Sequence, residues 1–328
     1  MSSISEIEFR SAGEEYLCVT PELVRSLRKE RPEDSHKGTY GHAIMIAGCT
    51  GMMGAAVLSV GGALRSGCGL VTAHVPFQER SIIHITRPSA IVECDPEPVF
   101  STVPGRLESY KAAGIGCGIG KDGKTAKALE STLSQIQGMQ KGIQVQGRGG
   151  APVTVLDADA LNIISEHPGL FGLIPEDSVL TPHLGELDRL LRSAISAGVI
   201  EADSAESGCK KNGCHPFIWE DSREATILSR RLSCAISSTI VVKGPHTMIC
   251  PPSGKLYFNM TGNPGMAKGG SGDILAGLLT GLCARGYTPL EASIAAVWYH
   301  GKAGDDAAEH LGTESMCATD ILDHLKVG

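Results

Sequence analysis

A glycine-rich run that ends in an acidic residue carries the clearest chemical signal in this sequence. Gly269, Gly270, Ser271 and Gly272 precede Asp273, and the residues that follow, ILAGLLTGLCAR, have a strong apolar helical pattern. Backbone N–H groups at such a helix start form an anion hole, and the helix dipole favours negative charge there. A carboxylate at the rim can take a proton from a hydroxyl that attacks phosphorus. The run predicts phosphoryl transfer with Asp273 as base, unless this aspartate only caps the helix.

A second stretch, GIGKDGKT at residues 118–125, matches the pattern of a nucleotide-binding P-loop. A strand pattern precedes it, a helix pattern follows it, and Asp157 ends a neighbouring strand, as a P-loop protein needs. A pattern with four free positions also arises readily in a chain that contains 41 glycines. Lys121, Lys124 and Lys127 equally suit the solvated start of a helix. We interpret this stretch as a turn before a helix and place the donor phosphates at the other glycine-rich run.

The composition describes a globular protein without general affinity for polyanions. The chain has 328 residues, of which 42% are hydrophobic and 20% charged, and its net charge is -7. Phosphate binding must therefore come from local sites, and nucleic acid and anionic membranes are not expected partners. No apolar run approaches the ~20 residues that cross a bilayer. The first residues lack a secretion signal and the eleven cysteines form no C-x-x-C pair, which predicts a reduced, cytoplasmic protein.

Short apolar runs alternate with amphipathic segments along most of the chain. This rhythm indicates an α/β fold with a mostly parallel central sheet and helices on both faces. Strands are predicted at residues 43–48, 70–75, 90–94, 112–117, 153–157, 178–181 and 239–243. Helices are predicted at residues 53–65, 273–285 and 290–306, and a hairpin at residues 244–262.

One domain is predicted from residue 36 to residue 328. Residues 1–35 are interpreted as an N-terminal extension packed on that domain, because they are too few to form their own core. Residues 196–222 are polar, rich in glycine and serine, and without a period, which is typical of a surface insertion. Within them, Cys209 and Cys214 have no fourth ligand at zinc spacing and are interpreted as loop thiols.

Five motifs, in one order, resemble those of the NAD(P)H-hydrate dehydratase family of the ribokinase-like superfamily. They are HKGTYG at 36–41, VLDADAL at 155–161, LTPHLGE at 180–186, VKGPHT at 242–247 and NPGMAKGGSGD at 263–273. The resemblance covers about residues 35–325, apart from the insertion. The epimerase domain that many bacterial relatives carry is not part of the matching sequence. It implies a ribokinase-like three-layer α/β/α fold in the monofunctional form of the enzyme.

The activity that this resemblance implies is the repair of hydrated NAD(P)H. The hydrate loses water at C6 of its nicotinamide ring at the expense of ADP or ATP, with Mg²⁺ as cofactor and ADP as the favoured nucleotide. Asp273 would activate the C6 hydroxyl, the terminal phosphoryl group would move onto it across the anion hole, and the ring nitrogen would expel phosphate. Relatives commonly form homo-oligomers, so a homo-oligomer is expected here.

The resemblance also assigns binding residues, each through a motif that this chain contains. The nucleotide is expected along Lys243, Gly244, Pro245, His246 and Thr247, with its phosphates at Gly272. The hydrated dinucleotide is expected to contact Ala55, Gly118, His183 and Asp273. Gly-Pro is also an ordinary turn signal, and a histidine after Thr-Pro is usually structural. His183 nevertheless stands at the end of a predicted strand, where open α/β sheets bind ligands.

Further acidic residues fall within the same motifs. Glu186 resembles the position through which ribokinase-like enzymes hold magnesium by way of water, which suits an ion that keeps its hydration shell. The alternative is a glutamate favoured by the positive end of a helix. Asp157 and Asp159, at a strand end, are expected to orient the substrate. Three residues before the first core strand are expected either to close over it or to serve only as apolar or solvent-facing residues: His36, Lys37 and Tyr40.

Two other functions remain open from the sequence. One is a ribokinase-like kinase of a vitamin-precursor alcohol, of the hydroxyethylthiazole or pyrimidine type, which shares the GGSGD run. Such a kinase is not expected to combine this run with the KGPHT, TPHLGE and HKGTYG motifs. The other is a P-loop switch or nucleotide-binding regulatory module that uses residues 118–125.

Overall fold

A single sheet runs through the computed structural model, which describes residues 9–11, 14–142, 150–202 and 222–328. Its eleven strands within these ranges are β1 (Phe9–Ser11), β2 (Glu14–Cys18), β3 (His42–Ile46), β4 (Leu70–Pro76), β5 (Ile91–Asp95), β6 (Ala112–Ile115), β7 (Val153–Leu156), β8 (Val179–Leu180), β9 (Thr239–Val242), β10 (Thr247–Cys250) and β11 (Leu256–Asn259). Their order across the sheet is β1-β2-β11-β10-β9-β8-β7-β6-β3-β4-β5. Strands β3 to β9 are all parallel, and the predicted hairpin is the antiparallel pair β10 and β11.

Helices cover both faces of this sheet. They are α1 (Pro21–Ser26), α2 (Met53–Arg65), α3 (Arg80–Thr86), α4 (Gly123–Gln140), α5 (Asp159–Glu166), α6 (Leu184–Ser196), α7 (Ser222–Ala235), α8 (Ser271–Ala284), α9 (Pro289–Leu311) and α10 (Ala318–His324). Apolar residues of α4 to α7 pack on one face, and those of α2, α8, α9 and α10 on the other. The predicted three-layer α/β/α fold is confirmed. Among the described helices, none combines the length and apolar character of a membrane span.

Strand β3 shows why the chain forms three layers. Ile44 and Ile46 lie in the core beneath α4 to α7, whereas Ala43 and Met45 lie in the cores beneath α8 and α2. All four side chains are fully buried. A continuous apolar run is what a strand covered on both faces requires, and it is the pattern from which the parallel strands were predicted.

The strand order reverses at β3. The chain builds β4 and β5 on one side of β3, and then returns to place β6 and the later strands on its other side. The loops after β3 and β6 therefore diverge and leave a crevice at the carboxyl edge, the usual ligand position in open α/β sheets. Gly118 and Ala55 meet in this crevice, where a Cβ on Gly118 would lie 2.8 Å from the Cβ of Ala55.

Helices α2 and α8 are in backbone contact. A Cβ built on Gly277 would lie 1.8 Å from the carbonyl oxygen of Ser59, and one on Gly62 would lie 2.3 Å from that of Ile274. Only glycine permits so close an approach, and the neighbouring atoms are backbone that cannot move aside cheaply. The contact fixes the start of α8 relative to α2 and hence to the crevice.

Substituting Gly277 with alanine is therefore expected to lower the free energy of unfolding by about 1–3 kcal/mol, through overpacking. Thermal unfolding followed by circular dichroism measures the change. Gly138→Ala, inside α4, is the matched control because its Cβ would meet nothing within 4 Å. That control should be neutral or slightly stabilising, since alanine is the better helix former. Equal melting temperatures for Gly277→Ala and the wild type would contradict the packing account.

The HKGTYG motif lies at the opposite edge of the sheet from the crevice. Lys37 to Tyr40 form a 3-10 turn directly before β3, and a Cβ on Gly41 would lie 1.9 Å from the carbonyl oxygen of Ala284, where α8 ends. Parallel strands begin at this edge and end at the other one. The expectation that His36, Lys37 and Tyr40 close over the substrate is therefore wrong within one chain, because these residues join the start of β3 to the end of α8.

The outer segments of the chain differ in how far the structure describes them. Residues 14–18, in the expected N-terminal extension, form β2 and pair in parallel with β11, so they lengthen the main sheet. In the expected insertion, α6 ends at Ser196 and residues 203–221 lie outside the described residues. Cys209 and Cys214 fall in that part. The division into extension, domain and insertion stays a prediction.

Candidate active site

Asp157 lies at the centre of a cluster at the carboxyl edge of the sheet. Its Oδ1 accepts hydrogen bonds from Lys243 Nζ at 2.6 Å and from Thr181 Oγ1 at 2.8 Å. Its Oδ2 accepts one from Cys117 Sγ at 3.8 Å. The four residues follow β7, β9, β8 and β6, which are adjacent strands. One buried carboxylate thus joins the ends of four neighbouring strands.

The first turn of α8 rests on this cluster. A Cβ on Gly272 would lie 3.3 Å from Lys243 Nζ and 4.0 Å from Asp157 Oδ2. Gly270 is the N-cap of α8. Its φ is 95°, a left-handed conformation that favours glycine. The alternative that Asp273 only caps the helix is therefore wrong, since Asp273 stands three positions inside it. Its carboxylate lies within 4.8 Å of the ligand atoms of Asp157 and Cys117.

This environment makes Asp273 an unusually strong base for a carboxylate. Burial raises its pKa to about 6, and the negative charge of Asp157 acts in the same direction. The Cys117 thiol and the Lys243 ammonium oppose that increase. Burial raises the pKa of Cys117 well above its usual value, so this thiol stays protonated and can donate. A base whose pKa lies near neutral pH is suited to proton transfer during catalysis.

Lys243 supplies the positive charge of the site. Burial lowers its pKa, but the carboxylates of Asp157 and Glu186 outweigh that effect and the net shift is upward, so the side chain remains an ammonium. Its Nζ lies 3.8 Å from Glu186 Oε2. The partly buried Lys243 ammonium and the positive end of the α8 dipole both present positive potential to a bound anion.

Glu186 and His183 form the start of α6. His183 N donates to Glu186 Oε2 at 2.8 Å, and Glu186 N donates to His183 Nδ1 at 3.4 Å, which is a reciprocal capping box. The helix-terminal role that the sequence left open for Glu186 is therefore present. The His183 side chain is 56% exposed, and the backbone of His183 forms an isolated parallel β-bridge with Lys243 at the same edge of the sheet.

The remaining residues of the KGPHT motif form an open turn between β9 and β10. Gly244, Pro245 and His246 are exposed, and a Cβ on Gly244 would meet nothing within 4 Å. Thr247 Oγ1 donates to Gly244 O at 3.2 Å and closes the turn. Gly269 is also exposed and surrounded by open space. The motif thus places one cation inside the cluster and an accessible turn beside it.

The cluster does not itself suit magnesium. In the described part of the chain, Cys117, Asp157 and Asp273 form the group of three whose ligand atoms are close enough for a metal ion. Magnesium prefers oxygen ligands in an octahedron, whereas this group contains a thiol and its central carboxylate already pairs with Lys243. The carboxylate of Glu186 lies outside this group of three, where it accepts from His183 N at 2.8 Å and lies 3.8 Å from Lys243 Nζ.

Residues 118–125 do not surround an anion site. Asp122 caps α4 by accepting from Lys124 N at 2.8 Å. Lys121 pairs with Glu166 at 2.6 Å, and the Lys124 ammonium pairs with Glu97 at 3.0 Å, all at the surface. The interpretation of this stretch as a turn before a helix is confirmed, and its Gly118 is buried against Ala55 at the start of α2.

Several members of the cluster were missed in the sequence. Cys117 and Thr181 were not assigned roles, although each is the last residue of a predicted strand, and that position was the available signal. His300 on α9 gave no signal, yet its Nε2 lies 3.3 Å from Ser271 Oγ at the start of α8. Burial lowers the pKa of His300 to about 4, so a neutral ring supports the first turn of that helix.

Comparison with known proteins gives consistent results. A family model described as NAD(P)H-hydrate dehydratase matches residues 43–326. An ADP-dependent (S)-NAD(P)H-hydrate dehydratase of Neisseria meningitidis serogroup B is 33% identical over 288 residues, which cover 87% of this chain and 83% of that protein. The bifunctional NAD(P)H-hydrate repair enzyme Nnr of Moorella thermoacetica is 32% identical over 94% of this chain, and the chain spans 52% of its length.

Solved structures resemble the whole described fold. The ADP/ATP-dependent NAD(P)H-hydrate dehydratase of Bacillus subtilis, co-crystallised with ATP and Mg²⁺, is 27% identical and superposes with a TM-score of 0.71. The match covers 93% of this chain and 95% of that one. The similarity therefore extends over most of both chains and supports a shared fold.

Proposed function

We propose that this chain, which belongs to the NAD(P)H-hydrate dehydratase family, converts hydrated NAD(P)H back to NAD(P)H with ADP as the favoured phosphoryl donor. The position of Asp273 carries the proposal, because a base of raised pKa stands at a glycine-rich helix start beside the Lys243 ammonium. The proposed substrate is the one on which the relatives act. The proposed preference for ADP follows the ADP-dependent protein of Neisseria meningitidis.

Phosphoryl transfer is the first step of the proposed reaction. Asp273 accepts the proton of the C6 hydroxyl while that oxygen attacks the terminal phosphorus of ADP and AMP leaves. The N–H groups of the first turn of α8 and the Lys243 ammonium stabilise the charge that develops on the transferred group. The ring nitrogen then expels phosphate from C6, and loss of a C5 proton restores the double bond of the dihydronicotinamide. Hydroxide, a poor leaving group, is thus replaced by phosphate.

Two parts of the carboxyl edge are proposed to hold the two substrates. The crevice where Gly118 meets Ala55 receives the hydrated dinucleotide, with exposed His183 at the same carboxyl edge of the sheet. The open turn from Gly244 to Thr247 receives ADP and directs its phosphates to Gly272. Magnesium would neutralise phosphate charge, and Glu186 would hold it through water, as its carboxylate position permits. A cytoplasmic homo-oligomer is also part of the proposal.

The test is a reconstituted repair assay. Purified protein is mixed with chemically hydrated NADH, magnesium, and either ADP or ATP, and recovery of the NADH absorbance band is followed. We expect faster recovery with ADP and none without nucleotide. No recovery with either nucleotide would overturn the proposal. A kinase of a vitamin-precursor alcohol, which would use Asp273 in the same way, would instead yield a stable phosphorylated alcohol in a parallel assay with hydroxyethylthiazole.

The raised pKa of Asp273 gives this assay a pH dependence. Asp273 acts as a base only when ionised, so kcat/KM should rise with pH through about 6 and reach a plateau above it. An ordinary aspartate, with a pKa near its usual value of 3.8, would place this rise about two units lower. Initial rates across pH 4.5 to about 8, at constant ionic strength, would measure it. A flat profile over that range would contradict a catalytic base whose pKa is raised to about 6.

A further inference from the structure

The charge of Asp157 is the feature of the site that the proposed reaction does not yet use. We infer that Asp157 is a positioning residue, which holds Lys243 against the first turn of α8 and keeps a second negative charge beside Asp273. The inference rests on the proposed function, since it concerns the same site and the same base.

The contacts of Asp157 are those of an anchor. Its side chain is almost fully buried, and its oxygens accept from Lys243, Thr181 and Cys117, which come from three other strand ends. A buried carboxylate needs such partners, because an unpaired charge is strongly disfavoured in the interior. The ammonium that it holds is the group nearest to the missing Cβ of Gly272. Asp157 therefore fixes the cation at the proposed phosphate position.

The backbone after β7 is strained in a way that serves this arrangement. Ala158 has φ 48° and ψ -115°, a combination that residues with a side chain rarely adopt. Asp157 N and Asp159 N donate to the carbonyl oxygens of Ile115 and Gly116 at 3.1 and 3.2 Å, which hold the turn. The turn sends the two carboxylates to different partners, because Asp159 Oδ2 accepts from Gly120 N at 2.8 Å while Asp157 faces Lys243.

Removing the charge of Asp157 should therefore lower the pKa of Asp273. The charged or titratable groups that face Asp273 are Asp157 and Asp159 after β7, Lys243 after β9 and Cys117 after β6. Asp157 disfavours the ionised form of Asp273, whereas Lys243 favours it. Loss of the Asp157 charge removes the repulsion and also frees Lys243 to approach Asp273. Both effects make Asp273 a weaker base.

The kinetic test compares Asp157→Asn with Thr181→Val. In Asp157→Asn, the acid limb of kcat/KM should move to lower pH by roughly one unit, and KM for ADP should rise about tenfold as Lys243 loses its anchor. Thr181→Val removes a hydrogen bond to the same carboxylate oxygen but no charge, so its acid limb should coincide with that of the wild type. The inference would be overturned if Asp157→Asn kept both the wild-type midpoint of the acid limb and the wild-type KM for ADP.

A direct titration separates this inference from the proposed function. Aspartate labelled with ¹³C at its carboxyl is titrated by NMR, and the Asp273 signal is identified by its loss in Asp273→Asn. The midpoint of Asp273 should fall in Asp157→Asn and rise in Lys243→Gln, which leaves Asp157 unpaired beside it. Either variant decides the question if the other does not fold. Unchanged midpoints overturn the inference even in an active enzyme, whereas an inactive wild type with shifted midpoints overturns only the proposed reaction.

Discussion

Asp273→Asn is expected to reduce kcat for dehydration of NADH hydrate by about 10²–10⁴-fold, the usual contribution of a general base. Asparagine keeps the size of the side chain but cannot accept the proton of the C6 hydroxyl. KM for ADP should stay the same or fall, because the variant removes a negative charge close to the proposed phosphate position. Rates are measured at pH 8, where Asp273 of the wild type is ionised, with both nucleotide and hydrate at saturation.

Stability provides the control for this variant. Burial raises the pKa of Asp273 to about 6, so the folded state favours the protonated form and is destabilised as pH rises from about 4 to 6. Above pH 6 the full cost of the buried charge is present, and neutral asparagine avoids it. The melting temperature of Asp273→Asn at pH 8 should therefore equal or exceed that of the wild type. Asp306→Asn, which breaks an i,i+4 pair with Lys302 at the surface of α9, should leave turnover unchanged.

Full turnover by Asp273→Asn would remove Asp273 from the proposed mechanism. A variant that lost turnover together with its melting temperature would instead point to a damaged fold. The expected combination of lost turnover and retained stability separates a chemical role from a structural one, because only the chemical role requires a carboxylate.

Asp273 could be found in the sequence because its signal is local. A glycine-rich run and an apolar helical pattern lie next to each other, and their combination predicts an anion hole without knowledge of the rest of the fold. The ion pair between Lys243 and Asp157 could not be found in this way, since 86 residues separate the partners. The two side chains come together because β7 and β9 flank β8 in the sheet. The spacing of the motifs does not predict this strand order.

The HKGTYG motif shows a different limit of prediction from sequence motifs. Its place in the series of family motifs suggested a role at the substrate, yet residues that precede a parallel strand lie at the amino edge of the sheet. The prediction of β3 directly after the motif already contained that information. Sequence motifs therefore led to Asp273 as the proposed base, whereas the edge at which each motif lies follows from strand direction, and residues such as His300 required the packing of α9 on α8.

Lys243→Gln is expected to weaken ADP binding about tenfold or more, whereas Lys124→Ala should leave it unchanged. Lys243 lies beside the start of α8 and would lose a charge-assisted contact to phosphate. Lys124 pairs with Glu97 at the surface, where ion pairs contribute little. Isothermal titration with ADP and magnesium measures both affinities. Lost binding in Lys124→Ala alone would identify residues 118–125 as the phosphate site after all.

Stability must again be separated from binding, because Lys243→Gln leaves the buried Asp157 carboxylate without its cation. Breaking such a pair typically costs about 3–5 kcal/mol. The double variant Asp157→Asn with Lys243→Gln removes both charges and should recover much of that loss. It should not recover ADP affinity, since the missing ammonium is what the phosphate requires. If the double variant regained both stability and affinity, Lys243 would act only by balancing Asp157, and the anion hole of α8 would bind phosphate without it.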